Sequence, residues 1–97
     1  MLITFERTGG FAGIRLTKVI DTTNLSSEEA NQVQELIAES DFFNLPANIT
    51  SPNQIDRFQY KVTLEENAHQ HTVVVDEKNT PAKLKPLLDW LTAAGGK

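Results

Sequence analysis

The chain has 97 residues and no cysteine. That absence excludes disulfides, thiolate metal sites and a cysteine nucleophile together. Histidine is scarce too, with two in all, whereas a zinc ion normally takes three or four protein ligands. No stretch approaches the roughly 20 consecutive apolar residues of a membrane span, so no membrane association is expected. Basic residues are the minority: Lys and Arg total 9 against 13 Asp and Glu, a net charge of −4, and they are scattered. Nucleic-acid phosphate is repelled on average by such a chain, so no nucleic-acid partner is expected. Met1 to Arg7 runs straight into a strand pattern without a basic flank, which does not read as a secretory signal. The expected setting is the cytoplasm.

What remains is an ordinary globular composition, 39% hydrophobic and 23% charged. At this length it supports one domain, residues 1–97, since two halves would each lack a core. Leu2 to Phe5 and Ile14 to Thr17 alternate apolar and polar residues around Gly9-Gly10, the pattern of a β-hairpin. Its second strand is expected from about Ala12 to Ile20. Ser26-x-x-Glu29 is a capping box, with Leu25 before it as a hydrophobic staple against Ala30. Ala30, Val33, Leu36 and Ile37 then recur at helical spacing, giving an amphipathic helix from Ser27 to about Glu39.

Asp41 can cap one further turn that Pro46 ends, and Phe42, Phe43 and Leu45 read as core. Ala47 to Ile55 has turn formers and neither period. It exceeds the usual connection of about 4–6 residues and is either a functional loop or a plain connector. Phe58, Tyr60, Val62 and Leu64 alternate with polar residues in a half-buried strand. Glu65 to Ala68 turns, and His69 to Asp76 returns. Thr80-Pro81 reads as a helix start, and Leu84, Leu87, Leu88 and Leu91 make the last apolar stripe. Pro86 inside that stripe kinks the helix or splits off its first turn. The expected order is β-β-α-β-β-α: an α+β two-layer domain, a four-stranded antiparallel sheet with both helices on one face.

Catalytic chemistry finds little support. His69-x-His71 places both imidazoles on one side of a strand, but a third ligand is missing, and a surface pair at a strand edge is the expected reading. Thr72 beside His71 points to the opposite face, so the two form no nucleophile–base pair. Glu28 and Glu29 sit at a helix start, where they favour the helix dipole. No catalytic residue, metal site or cofactor is expected, and the chain reads as a binding module, not an enzyme.

Phe5-Glu6-Arg7-Thr8-Gly9-Gly10-Phe11-Ala12-Gly13 resembles the opening of the emfourin family. The likeness continues through Asp41-Phe42-Phe43-Asn44-Leu45-Pro46, Asp56-Arg57-Phe58-Gln59-Tyr60, His71-Thr72-Val73 and Leu87-Leu88-Asp89-Trp90-Leu91, in order along nearly the whole chain. Emfourins are small bacterial inhibitors of thermolysin-like, protealysin-type zinc metallopeptidases. The resemblance implies such a peptidase as partner, a flexible loop that obstructs its substrate cleft without supplying a zinc ligand, and a His71 that packs or hydrogen-bonds structurally.

By position that loop is Asn48, Ile49, Thr50, Ser51, Pro52, Asn53, Gln54 and Ile55. Ile49 and Ile55 would approach the peptidase's apolar specificity pocket, and Asn48, Asn53 and Gln54 its backbone groups. A specific interface buries about 1,600 Å² in total, more than one loop provides. A secondary contact is therefore expected from the turn at Gly9, Gly10 and Phe11, or from Asn24 and Leu25. A monomer is expected when the protein is free. The competing reading is a regulatory or adaptor domain of the same fold with a different protein partner, because most of the matching motifs are core and cap signatures.

Overall fold

The computed structural model describes residues 1–9, 15–50 and 58–94. In chain order these form β1 (Leu2–Gly9), β2 (Leu16–Asp21), α1 (Ser27–Ser40), β3 (Asn48–Ile49), β4 (Phe58–Glu66), β5 (His69–Asp76) and α2 (Lys85–Ala94). The sheet runs β2-β1-β4-β5-β3. It has five strands, not the four expected, and it is mixed: β3 lies parallel to β5, with Asn48 opposite Val74 and Ile49 opposite Val75. A two-residue strand carries no alternation to read. It forms because β5 offers an open edge, where the Val74 N–H donates to Ala47 O at 2.9 Å. The other pairings are antiparallel.

β1 and β4 lie side by side, with Ile3 opposite Leu64 and Phe5 opposite Val62. Together with Val73 and Val75 of β5 they make the buried face of the sheet. Val33 and Ile37 of α1 and Leu87, Leu88 and Leu91 of α2 pack into the same core. Lys18 also projects to the buried face, beside Phe5. Its Nζ donates to Thr92 O at 2.7 Å and Leu91 O at 3.4 Å. An ammonium there satisfies carbonyls near the end of α2 and opposes the negative end of its dipole.

The capping box forms in part. Ser26 Oγ accepts from the Glu29 N–H at 3.1 Å, and the Glu29 carboxylate meets the Ser26 hydroxyl at 3.1 Å. α1 ends on Asp41 in the left-handed region, φ 54°. Phe42 is 1% exposed, as a core residue should be, but Phe43 is 37% exposed and lies outside the core. α2 does not start at Thr80-Pro81. The Leu84 and Lys85 N–H groups both donate to Pro81 O in a separate turn, and the Thr80 hydroxyl donates to Asp76 O. Pro86 therefore falls in the first turn of α2, where an N–H would have no helical partner in any case. The expected start of the second strand at Ala12 lies outside the described residues.

Asn67 and Ala68 form the two-residue turn between β4 and β5, with Glu66 opposite His69. Both have positive φ, 50° and 67°, as a type I′ turn requires. Alanine pays for its Cβ there and glycine does not. Ala68→Gly is accordingly expected to stabilise the fold by about 0.5–1 kcal/mol after the extra freedom of the unfolded chain is subtracted. Thermal unfolding should show a midpoint raised by about 2–8 °C.

At the end of β2 the Asp21 carboxylate accepts from the Thr23 hydroxyl at 2.7 Å and the Thr23 N–H at 3.0 Å. These bonds favour the charged form and hold the carboxyl below its ordinary 3.8. The resulting stability is present above the unfolded pKa and is lost as pH falls through the folded value. Thr23→Ala is expected to move the Asp21 titration, followed by carboxyl NMR, back up towards 3.8.

Candidate functional site

The segment singled out as a loop begins inside the sheet. Asn48 and Ile49 are paired to β5, and the Thr50 hydroxyl donates to Asn48 Oδ1 at 2.5 Å. Ile49 is half-buried against the core. It anchors the segment, which differs from the expectation that its side chain reaches outward. Ser51, Pro52, Asn53, Gln54 and Ile55 lie outside the described residues.

Where the chain is next described, Phe58 opens β4 under a second set of restraints. Its N–H donates to Glu77 Oε1 at 3.2 Å, and its carbonyl accepts from the Glu77 N–H at 2.9 Å. The Arg7 guanidinium lies over its ring, 4.7 Å from the centroid, a cation–π contact. At the end of β5, Asp76 Oδ1 accepts from the Asn79 N–H at 2.7 Å and binds the Asn79 amide group as well. Asp76 is 1% exposed, so this carboxylate fixes the turn from inside.

Register decides which expected contacts belong together. Gly9 is the partner of Phe58, and its φ of 98° is one that glycine alone takes freely. Gly10 and Phe11, just beyond it, lie outside the described residues. Thr50, Gly9, Phe58 and the Asp76–Asn79 turn therefore share one end of the sheet. Asn24 and Leu25 follow β2 at the other end, where Leu2 faces Asp21 and Glu65. The length of β1 separates the two ends by about 23 Å at 3.3 Å per residue. Leu25 is moreover half-buried against the core. The two candidate secondary contacts are thus not equivalent: Gly9 lies beside Phe58, where the segment rejoins the sheet, and Asn24 lies at the other end.

Tyr60 lies two residues into β4 from Phe58 and stacks on Phe5 at 6.1 Å. Its phenol is held above the ordinary value of 10.0, first by burial and then by the Glu77 carboxylate. It is a neutral hydrogen-bonding group on an apolar ring.

The histidines serve packing. His71 Nε2 lies 2.9 Å from Leu45 O, and its ring meets Phe42 edge-on at 5.6 Å. His69 lies against Phe43 at 5.1 Å. His71 is half-buried, packed and hydrogen-bonded as its family match implies, and of the expected surface pair His69 alone is exposed. Among the described residues no three His, Asp or Glu side chains gather as metal ligands. An open groove of about 390 Å³ is lined by Met1, Gln34, Ile37, Phe42, Phe43 and Glu66 among others. It sits at the far end from the loop. No described helix is long and apolar enough to cross a membrane.

The described residues form a small α+β domain in which Gly9, Thr50 and Phe58, where two connections leave or rejoin the strands, lie at the same end of the sheet. The emfourin family model matches residues 5–92, and the chain belongs to that family. A similar solved structure is that of emfourin from Serratia proteamaculans, an M4 family peptidase inhibitor. The two are 20% identical, over 89% of this chain and 83% of that one, with a TM-score of 0.50, a likeness of fold. No curated protein matches the chain.

Proposed function

We propose that the protein inhibits a thermolysin-like zinc metallopeptidase, with the segment that leaves β3 at Thr50 and re-enters the sheet at Phe58 obstructing the substrate cleft. Membership of the emfourin family carries this reading. The anchoring of the segment supports it, because both of its ends are tied to sheet strands. A loop held at both ends has less freedom to lose on docking. With Ile49 turned to the core, Ile55 is the apolar residue left for a specificity pocket, and Asn53 and Gln54 supply hydrogen bonds. Gly9, Gly10 and Phe11 extend the contact towards the area a specific complex needs. The inhibitor performs no reaction of its own.

Peptide hydrolysis by a thermolysin-like peptidase, titrated with the protein, tests this. Activity should fall as the two reach equal amounts, while a serine protease treated identically keeps its activity. Undiminished hydrolysis by a panel of such peptidases at large excess would refute the proposal.

A further inference from the structure

The longer open edge of the sheet is β2, which among the described residues pairs with β1 alone. Which of its backbone groups face outward follows from one hydrogen bond. The Thr22 N–H donates to Met1 O, so Thr22, Ile20, Lys18 and Leu16 point their backbone groups at β1. Antiparallel pairs alternate, so Thr17, Val19 and Asp21 present theirs to solvent. The side chains of these three lie on the face of the sheet away from the helices. Val19 is 63% exposed, the most exposed large apolar side chain among the described residues.

We propose that this edge pairs antiparallel with β2 of a second copy of the chain, about a twofold axis through Val19. In that register Val19 faces Val19 of the second copy, and Thr17 faces Asp21 in both directions. All of these are outward-pointing residues, so each pair exchanges its backbone hydrogen bonds. The apolar side chains meet at the centre. The Thr17 hydroxyl can donate to Asp21 Oδ2, since Oδ1 already accepts from Thr23. Arg15, exposed beside the strand, falls diagonal to Asp21 of the second copy with opposite charge.

The neighbouring registers are worse. Centring on Asp21 sets two carboxylates face to face, and centring on Thr17 pairs Val19 with Arg15. The opposite edge, β3, is two residues long and offers too little backbone to continue a fibre, so the assembly closes at two. One strand edge is a small interface, and the association is correspondingly weak, with Kd on the order of 0.1–1 mM. The expectation of a free monomer then holds only in dilute solution. The twofold axis sends the loop-bearing ends of the two copies in opposite directions. If the proposed inhibition is right, each copy can therefore engage its own peptidase.

Sedimentation equilibrium of the protein alone tests the pairing without reference to any peptidase. The weight-average mass should rise from 10.8 kDa towards twice that value as concentration passes from about 10 µM to about 1 mM. Val19→Asp places like charges at the centre and should hold the mass at that of the monomer, with an unchanged melting temperature. Val19→Thr should still associate. A wild-type mass that stays monomeric at 1 mM overturns the proposal, as does a dimer that survives Val19→Asp. A third result also overturns it: a wild-type monomer whose Val19→Asp variant alone loses peptidase inhibition, which would give the edge to the peptidase.

Discussion

Replacing Ser51 to Ile55 with a short Gly-Ser link is expected to abolish inhibition while leaving the melting temperature within a few degrees of wild type. The reason lies in what the replacement spares. β3 keeps its pairing to β5 and the half-buried Ile49 stays on the core. Phe58 keeps its bonds to Glu77 and its place beside Gly9. A connection with intact anchors contributes little to stability, since loop entropy changes slowly with length. If the segment supplies the groups that enter the cleft, losing it costs on the order of 4 kcal/mol or more of binding, a thousandfold weaker inhibitor. Circular dichroism and a hydrolysis assay on one preparation check both halves. Unaltered inhibition would remove the loop from the account.

Phe42→Ala is expected to be the most damaging single change on the helix side of the sheet. Phe42 is 1% exposed, meets His71 edge-on and plugs the gap between the end of α1 and β5. Emptying that volume should cost about 3–5 kcal/mol, against a total stability of about 5–15 kcal/mol for a domain of this size. Urea unfolding should show the midpoint falling sharply with little change in slope. Phe43→Ala, next in sequence but 37% exposed, should cost about 1 kcal/mol or less. Equal losses from the two would contradict the burial difference between them. The Phe42 change also loosens the Leu45 carbonyl that His71 holds, shortly before β3. Inhibition should therefore weaken in the fraction that remains folded.

The longer strands and both helices were legible because their period repeats. Phe58 to Leu64 alternates over a full strand, and Val33 and Ile37 recur one turn apart. The capping serine was legible because its spacing to Glu29 is local. β3 was not, since its existence depends on the open edge of β5 and not on its own two residues. Phe42 and Phe43 are chemically identical, and only the geometry of the short 3-10 turn Phe42–Asn44 decides which is buried. Within the site, the composition of the Asn48–Ile55 stretch marked a loop. The core-facing role of Ile49 needed the partner strand. The contiguity of Gly9 with Phe58 is a fact of register between distant parts of the chain, invisible to any local pattern.

The central claim is that the loop-bearing end of the sheet, and not the Asn24 end, faces the peptidase. Amide hydrogen exchange on the protein, free and in complex with a thermolysin-like peptidase, measures this directly. The account predicts added protection at Gly9, Thr50, Phe58 and the Glu77–Asn79 turn, with none at Thr23 to Leu25. Protection confined to Thr23–Leu25 and the Asn67-Ala68 turn would contradict it.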